Sequence, residues 1–303
     1  MSEEPAEKYL YQEEPYEEQI HRAAEWIKQA DAIFIGAGAG LSTAAGLVYT
    51  GSRFTDNFGE FIRRYGSNAM PDMYAAGFYP FATEEERWGY WSRHVYLNRI
   101  EPGALPLYRE LYELVSGKEH FVLTTNVDHQ FWKAGFDDNN IFATQGDYGL
   151  IQCRKGCHKK TYDATELFLQ MNRERKDCRI PASLVPRCPV CGGPMAMNLR
   201  CDPYFVEDEH WNEAAGRYDE FLNRVEQKRV VLLECGVGLF NTPVIIRFPF
   251  EKMTVSHPSW NLVRLNLNEA VVPGGIQQRA AGITMDLVRS IGDLKRELAA
   301  VRP

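Results

Sequence analysis

No run of about 20 uninterrupted apolar residues, the length that a membrane-spanning helix needs, occurs in the sequence. The most apolar late stretch, residues 230–248, is broken by Glu234, Asn241, Pro243 and Arg247. The N-terminus, MSEEPAEKYLYQEEPYEEQ, is acidic and has none of the apolar core that a signal peptide carries. We therefore expect a cytoplasmic protein with no membrane partner.

Blocks of Lys or Arg are also absent, and the formal net charge of the 303 residues is −7. Counterion-driven binding to DNA or RNA needs a basic surface, so we expect no nucleic-acid partner. A negative net charge does not exclude a local basic patch on the surface. Apolar residues make up 45% and charged residues 25% of the chain, which is the composition of a globular protein with a full core.

The sequence contains no internal repeat and no low-complexity tract. Its first half instead predicts an alternation of helices and strands. Ile20, Ala23 and Ile27 have helical spacing, a short apolar strand follows at residues 32–35, and a glycine-rich turn follows at residues 36–40. This order is typical of a doubly wound, Rossmann-like α/β domain with a parallel sheet. Further strands are predicted at residues 121–124, 229–233, 244–246 and 263–267, and further helices at residues 105–115 and 283–300.

Two segments interrupt this alternation. Residues 47–102 are rich in aromatic side chains at helical spacing, which favours a helical insertion with its own small core over a ligand cage. Residues 151–197 hold most of the cysteines and little hydrophobic periodicity. We therefore predict a Rossmann-like domain at residues 16–150 and 198–303, interrupted by a zinc-binding module at 151–197. Residues 1–15 are expected to form a disordered or loosely docked arm.

Seven cysteines, an odd number, favour a metal site or free thiols in a reducing compartment over a disulfide framework. Two close pairs in the second segment can place four thiolates tetrahedrally around one structural Zn²⁺ ion, with no open position for a substrate. His158 is an alternative ligand, Cys178 lies between the pairs, and free buried thiols remain the other interpretation. The predicted ligands are Cys153, Cys157, Cys188 and Cys191.

The glycine-rich turn alone is a weak signal for phosphate binding. Leu41 stands where a hydride-transferring Rossmann enzyme would have its third glycine, and Asp56 lies in the aromatic segment rather than after a strand. A dehydrogenase is therefore disfavoured. Thr124-Thr125-Asn126-Val127-Asp128 follows a predicted strand, at the mouth of the crevice of such a sheet. The alternative for Asp128 is a helix N-cap, and His129 is expected to be structural or at the surface.

Taken together and in order, motifs from about residue 20 to residue 295 resemble those of the sirtuin family. The matching motifs are GAGLS at residues 38–42 with Gly46 behind it, TTNVD at residues 124–128 with Ala134-Gly135 behind it, Gln145-Gly146 at the family's His-Gly, Gly236-Val237-Gly238 at its Gly-Thr-Ser, and Leu265-Asn266 at its Ile-Asn. Cys153 begins a cysteine module where the family's zinc module begins.

Departures from the family's motifs narrow this resemblance. Its Pro-Asp-Phe-Arg is replaced by residues 48–51, its peptide-binding Phe-Gly-Glu by residues 205–207, and its catalytic histidine by Gln145. With NLRCD at 198–202 and TQGDYG at 144–149, the chain is most similar to the macrodomain-linked class M sirtuins. The resemblance implies an NAD⁺-dependent protein ADP-ribosyltransferase. It also implies a lipoyl-bearing, glycine-cleavage-H-like acceptor and a macrodomain protein as functional partner.

The resemblance also assigns roles to residues. Asp128 and the backbone around it would hold the nicotinamide amide, Asn126 the ribose or a water beside C1′, and Asn266 the adenine ribose. Arg200 is the cation expected to orient an acceptor carboxylate, and its alternative is a surface salt bridge. The remaining contacts to NAD⁺ are expected from Gly38, Ala39, Gly40, Ser42, Gly46, Thr125, Gly236, Val237 and Gly238.

Gln145 decides which NAD⁺ chemistry is expected. A glutamine amide has donors and an acceptor but no proton that titrates near neutrality, so it can hold the ribose but cannot act as a general base. Deacylation needs such a base, whereas transfer of ADP-ribose to an ionised carboxylate does not. We therefore expect catalytic roles for Asn126, Asp128, Gln145 and Arg200 in transfer. The alternatives are a deacylase whose base lies elsewhere and a non-catalytic NAD sensor.

Overall fold

A computed structural model describes residues 9–239 and 243–300 of the chain. Its strands are β1 (Tyr9–Leu10), β2 (Ala32–Ala37), β3 (Glu119–Thr124), β4 (Ile141–Ala143), β5 (Gly146–Cys153), β6 (Thr161–Asp163), β7 (Met195–Leu199), β8 (Val230–Cys235), β9 (Trp260–Asn266), β10 (Val272–Pro273) and β11 (Ala280–Thr284). Its α-helices are α1 (Tyr16–Gln29), α2 (Ala39–Ala44), α3 (Gly51–Tyr65), α4 (Glu84–Val95), α5 (Pro106–Val115), α6 (Gln130–Ala134), α7 (Thr165–Glu174), α8 (Glu209–Val225), α9 (Arg247–Ser256) and α10 (Leu287–Ala300).

A six-stranded parallel sheet in the order β11-β9-β8-β2-β3-β4 forms the centre of the molecule. All residues of β2 and β8 are buried, as expected for strands covered on both faces. One face of the sheet packs on α1, α5 and α10, and the other packs on α8 and α9. The predicted doubly wound, Rossmann-like fold is therefore confirmed.

The topology places the ligand crevice at the carboxyl ends of β2 and β8. From β2 the chain proceeds to β3 and β4 on one side of the sheet, and from β8 it proceeds to β9 and β11 on the other. Open α/β sheets bind their ligands where the strand order reverses in this way. The GAGLS turn follows β2 and the GVG segment follows β8, so these two motifs meet at the crevice.

Two sequence predictions of secondary structure are wrong. Residues 244–246, predicted as a strand, form a turn that leads into α9, and the buried Ile246 packs beneath Gly36. A short apolar run fits a buried helix entry as well as a strand, and Pro243 and Pro249 favour the helix start. Residues 280–284, whose last two residues were assigned to the final helix, form β11 instead. Asp286 then accepts from the amides of residues 288 and 289, so α10 begins after it.

The helical insertion forms an aromatic cluster of its own. Phe54, Phe58 and Phe61 of α3 pack with Met73 and with Tyr90 of α4. After α4 the chain continues directly into a π-helical turn, Tyr96–Ile100. Residues 151–197 contribute β6 and β7, which flank β5 in an antiparallel three-stranded sheet, and α7, which packs on α4. The insertion and the cysteine module are thus in contact with each other.

The described part of the N-terminal arm forms hydrogen bonds with the C-terminal half of the chain. Strand β1 pairs with β10 through Tyr9 and Leu10. The Gln12 amide donates to the carbonyl oxygen of Ala280 at 2.8 Å and accepts from the amide of Gly282 at 2.7 Å. These bonds compensate for the weak apolar content of the segment. Residues 1–8, the rest of the predicted arm, lie outside the described residues. Within the described ranges, no helix combines the length and the apolar character needed to cross a membrane.

Candidate active site

The two glycine-rich turns form the floor of the crevice. The amide of Gly40 donates to the carbonyl oxygen of Gly236 at 2.9 Å. A Cβ atom on Gly38 would lie 2.8 Å from that same oxygen, and Gly236 itself has φ +64°. Glycine is required at these positions because any side chain would push the two turns apart. The structure therefore brings together Gly38–Ser42 and Gly236–Gly238, as the sequence predicts.

A buried hydrogen-bond network connects the GAGLS and TTNVD motifs. The Asn126 amide donates to the carbonyl oxygen of Gly38 at 3.0 Å and to the Tyr108 hydroxyl at 3.2 Å. The Ser42 hydroxyl lies 2.8 Å from that of Tyr108 and donates to Oδ2 of Asp128. Sequence reasoning missed Tyr108 because its place on the apolar face of α5 reads as an ordinary core position.

Asp128 has two roles. Its Oδ1 atom accepts from the amide of Gln130, the first residue of α6, at 3.0 Å, while its Oδ2 atom faces Ser42. Burial raises the pKa of this carboxyl, and the hydrogen bonds from Ser42 and Gln130 lower it by less. The N-cap of α6 is His129, so the interpretation of Asp128 as the N-cap is wrong by one residue.

Gln145 lies at the turn from β4 to β5. Its side-chain amide donates to the Thr144 hydroxyl at 3.1 Å, and its backbone oxygen accepts from the Arg200 amide at 3.0 Å. Gly146 behind it has φ +96° and approaches Asn198 too closely for a side chain. This backbone fixes the direction in which Gln145 leaves the strand.

Arg200 forms the surface salt bridge that is the alternative interpretation of its role, and its guanidinium lies beside the Gln145 turn. Its Nε atom donates to the Thr144 carbonyl at 3.2 Å, so the side chain lies beside the Gln145 turn. Its terminal nitrogen pairs with Glu207 at 2.6 Å at the surface. The guanidinium also stacks on Phe205, with 4.2 Å to the ring centroid. An acceptor carboxylate would have to compete with Glu207 for this cation.

An aromatic wall formed by three residues of the insertion and one of β5 lies beside the site, and sequence reasoning missed it. The hydroxyls of Tyr49 and Tyr148 lie 2.9 Å apart, and the Tyr74 ring stacks on Tyr49. His94 lies against Tyr49 and Tyr148, and burial lowers its pKa to about 3. The nearby charge of Asp128 contributes to raising the pKa of both tyrosines, after burial. Spacing alone could not show that these side chains converge.

Asn266 and Arg247 support the GVG segment from below. The Asn266 amide and the Arg247 guanidinium donate to the Val237 carbonyl at 3.0 Å and 3.2 Å. Arg247 is fully buried, and its charge is balanced by Glu234 and Glu251 at 4.0 Å and 3.9 Å. Asn266 is therefore at the crevice, with its amide group already used to hold the loop.

Two further residues predicted to contact the cofactor lie at the same edge of the sheet. The amide of Thr125 donates to the carbonyl oxygen of Ala37 at 3.1 Å, which ties TTNVD to the end of β2. Gly46 has φ +104° at the turn that follows α2. L side chains rarely adopt this backbone conformation, so glycine is favoured here for its backbone freedom. Gly46 thereby lets the chain turn after α2.

The four predicted metal ligands converge. Their Sγ atoms all lie within 4.8 Å of one another, with 3.7 Å from Cys153 to Cys191 and 3.6 Å from Cys157 to Cys188. Four sulfurs at about 2.3 Å from a tetrahedral Zn²⁺ ion would be roughly 3.8 Å apart, so the cluster fits structural zinc. His158 lies behind it, with Nδ1 at 3.1 Å from the sulfur of Cys157. Cys178 packs in the aromatic cluster of the insertion instead.

Solved structures share this fold. A structure described under the mechanism and regulation of Sir2 enzymes is 18% identical, with a TM-score of 0.57, and covers 94% of this chain and 100% of the other. A Sir2 homologue in complex with NAD is 15% identical, with a TM-score of 0.56, and covers 93% and 94%. At these identities the likeness shows the fold alone.

No protein-family model matches the chain. A protein ADP-ribosyltransferase of Staphylococcus aureus (strain Mu50) is 36% identical over 279 residues, covering 92% of this chain and 87% of the relative. The chain belongs to the sirtuin-type protein ADP-ribosyltransferases. A second relative, a probable bifunctional ADP-ribose hydrolase/ADP-ribosyltransferase of Fusarium oxysporum, is 30% identical over 283 residues. The chain covers only 46% of that longer protein.

Membership in the sirtuin-type protein ADP-ribosyltransferases makes NAD⁺ the co-substrate and a protein the acceptor. The crevice between the GAGLS and GVG turns lies where open α/β sheets in general bind their ligands. The four-thiolate cluster holds no open coordination position, so its metal would stabilise the module rather than take part in the reaction.

Proposed function

We propose that the protein cleaves NAD⁺, releases nicotinamide and transfers ADP-ribose to a carboxylate of a protein acceptor. One observation supports a carboxylate as the acceptor group. Gln145, which cannot take a proton, lies at the turn where a deacylating enzyme of this fold would need its base. After the neighbouring strand β3, Asn126 and Asp128 form a buried polar network with Ser42 and Gly38 at the crevice. The arrangement suits orientation and charge stabilisation rather than proton removal.

The transfer step balances without a base. The glycosidic bond between C1′ and the nicotinamide nitrogen breaks, and a bond forms between C1′ and an oxygen of the acceptor carboxylate. The electron pair of the broken bond stays on the nicotinamide, which leaves as a neutral molecule. The carboxylate loses its negative charge on forming the ester, so no proton has to be moved. A hydroxyl or acyl group as acceptor would lose this advantage.

Four side chains would bind NAD⁺ and orient the acceptor. Asp128 and the backbone around it would hold the nicotinamide amide, and Asn126 would lie beside C1′. Gln145 would hold the ribose through its amide, and Arg200 would orient the acceptor carboxylate after exchanging its partner Glu207. The position of Arg200 beside the Gln145 turn supports this last role, since its Nε atom is 3.2 Å from the Thr144 carbonyl.

Two histidines, His94 and His129, have to be considered as a substitute base, and burial excludes the first of them. His94 donates from Nδ1 to the Met73 carbonyl at 3.1 Å, and burial lowers its pKa to about 3, so it remains neutral and weakly basic. The Nδ1 atom of His129 is bonded to Asp147 at 2.6 Å, and its ring stacks on Trp132. Because a carboxylate on Nδ1 leaves Nε2 able to take a proton, the deacylase alternative would depend on His129.

For the acceptor, we propose a lipoyl-bearing carrier protein of the glycine-cleavage-H type, on the strength of the resemblance in sequence. The name of the Fusarium relative, a probable bifunctional ADP-ribose hydrolase/ADP-ribosyltransferase, supports a functional link to an ADP-ribose hydrolase. A macrodomain protein that removes the modification would fill this role. The residues around Gln145 favour a carboxylate and leave the identity of the carrier to experiment.

Labelled NAD⁺ incubated with the carrier domain, with and without lipoate, tests the proposal. Label should enter the carrier and nicotinamide should be released in equal amount. Asn126→Ala should abolish both and Gln145→Ala should reduce both severely, whereas Gln170→Ala on the exposed face of α7 should change neither. NAD⁺ binding without nicotinamide release, whatever acceptor is offered, would instead favour a sensor.

A further inference from the structure

Charge is divided unevenly between the zinc-binding module and the rest of the chain. Residues 151–197 carry nine Lys and Arg against four Asp and Glu, a net charge of +5 in a chain whose total is −7. The remaining residues therefore carry −12. A zinc ion with four thiolates has a net charge of about −2, which offsets only part of the excess. The module is a basic body on an acidic protein.

Part of this excess is used within the structure. Three arginines of the module pair with acids of the helical insertion: Arg154 with Glu84, Arg175 with Glu60, and Arg179 with Glu86. These pairs hold the module against the insertion, and Glu86 is buried. They are therefore not available to a partner protein.

Four of the six other cations of the module lie next to the metal ligands in the sequence. We call Lys155, Lys159, Lys160 and Arg187 the knuckle surface. Lys155 lies between the ligands Cys153 and Cys157, and Arg187 directly precedes Cys188. All four are exposed, and none forms an ion pair with any residue in the described part of the chain. Lys160 lies over the ring of Tyr162, 5.5 Å from its centroid, and exposed charges without an ion pair contribute little to the stability of the monomer.

This surface is continuous with the rim of the active site. The side-chain amide of Gln152 donates to the carbonyl oxygen of Tyr204 at 2.7 Å. Gly156 lies so close that a Cβ atom there would be 3.3 Å from the same oxygen. Tyr204 is 55% exposed and belongs to the segment that begins at Arg200, next to Gln145. The segment from Arg200 to Tyr204 thus joins the loop that carries Lys155 to the Gln145 turn.

We propose that the knuckle surface docks an acidic face of the protein acceptor. This rests on the proposed function for the identity of the acceptor, but not for the charge of its face. Cations at the rim of an interface speed encounter with an acidic partner and exclude basic ones. The rest of the chain has a net charge of −12 and would repel an acidic partner. Only the module would therefore attract such a partner electrostatically. Four cations on an acidic protein are few for nucleic acid, which needs a continuous basic surface.

The first test needs no catalysis. Fluorescein-labelled poly-L-glutamate is titrated with the zinc-loaded protein and followed by anisotropy. The triple variant Lys155→Glu/Lys159→Glu/Lys160→Glu should bind roughly tenfold or more weakly. Lys159→Glu should weaken binding, whereas Lys252→Glu, a matched reversal at an exposed lysine of α9, should not. Unchanged zinc content in each variant verifies that the fold is retained. Equal binding by the triple variant, or preference for duplex RNA over poly-L-glutamate, would overturn the proposal.

The second test separates docking from chemistry. With the lipoyl carrier domain as acceptor, the triple variant should raise the KM for the carrier about tenfold, with nicotinamide release from NAD⁺ alone unchanged. Added salt should raise the KM of the wild type toward that of the variant. An unchanged KM would count against the docking surface even if transfer proceeds. Absent transfer, with charge-dependent binding of poly-L-glutamate intact, would refute the proposed acceptor and support the surface.

Discussion

The Nδ1 atom of His129 lies 2.6 Å from Oδ2 of Asp147, and this bond connects the loop that carries Asp128 to the strand that follows Gln145. Arg99, in the π-helical turn of the insertion, donates to the other oxygen of Asp147 at 2.5 Å. One buried carboxylate thus joins three parts of the chain that surround the crevice.

Asp147→Asn should therefore destabilise the protein by about 3 kcal/mol at pH 7, because it leaves the nearly buried Arg99 without its countercharge. Burial alone would raise the pKa of Asp147, but the bond from His129 and the charge of Arg99 lower it overall. Its stabilisation is thus present above the unfolded-state pKa, about 3.9, and is lost as pH falls through the lower folded value. Urea unfolding at pH 7 and at pH 3 should show the gap between wild type and variant shrinking at acid pH. An equal gap at both values, or the same loss in Asp219→Asn on the exposed face of α8, would contradict this.

Tyr108→Phe should slow nicotinamide release about tenfold while the fold is retained. The change removes the hydroxyl that touches Ser42 and Asn126, and unpaired buried partners of this kind cost about 1–3 kcal/mol. The loss should appear in NAD⁺ turnover, since both partners face the crevice. Tyr112→Phe on the same helix is the control. Normal turnover by Tyr108→Phe would show that Asn126 needs no support from α5.

The sequence predicted the central sheet well because buried parallel strands are continuous apolar runs bounded by glycine or polar residues. Residues 32–35 and 121–124 lie within β2 and β3 for this reason. The same criterion failed at residues 244–246, where an equally apolar run enters a helix. Tertiary packing under Gly36 decided that case, and no local pattern carries that information.

In the candidate site, too, local motifs were predicted correctly, whereas contacts between distant segments were not. Motif spacing located the glycine turns and all four thiolates, since these depend on backbone geometry that short motifs encode. The aromatic wall of Tyr49, Tyr74, His94 and Tyr148 comes from distant segments with ordinary core patterns. Arg247 was noted only as a break in an apolar stretch, yet it is a buried support of the GVG segment.

Cys188→Ser/Cys191→Ser should abolish stoichiometric zinc binding and unfold the module, because two remaining thiols cannot complete a tetrahedral site. Metal analysis and proteolysis of purified protein measure both effects. Cys201→Ser, at an exposed cysteine outside the cluster, should retain one zinc ion per chain. Retention of zinc by the double variant would remove the assignment of these ligands.

Acetyl-lysine peptides incubated with NAD⁺ and the wild-type protein should yield almost no free lysine, because Gln145 cannot remove a proton. Gln145→His returns a titratable group to that turn, a contribution typically worth about 10²–10⁴-fold where the substrate is well placed. Any deacylation gained should therefore rise as pH increases through about 6.5, where histidine loses its proton. Transfer to a carboxylate by the wild type should show no such rise, since the acceptor is already ionised there. The rates are compared between pH 5.5 and pH 8 by separating peptide products and by labelled transfer. Robust deacylation by the wild-type protein would place the base elsewhere and reject the preference for transfer.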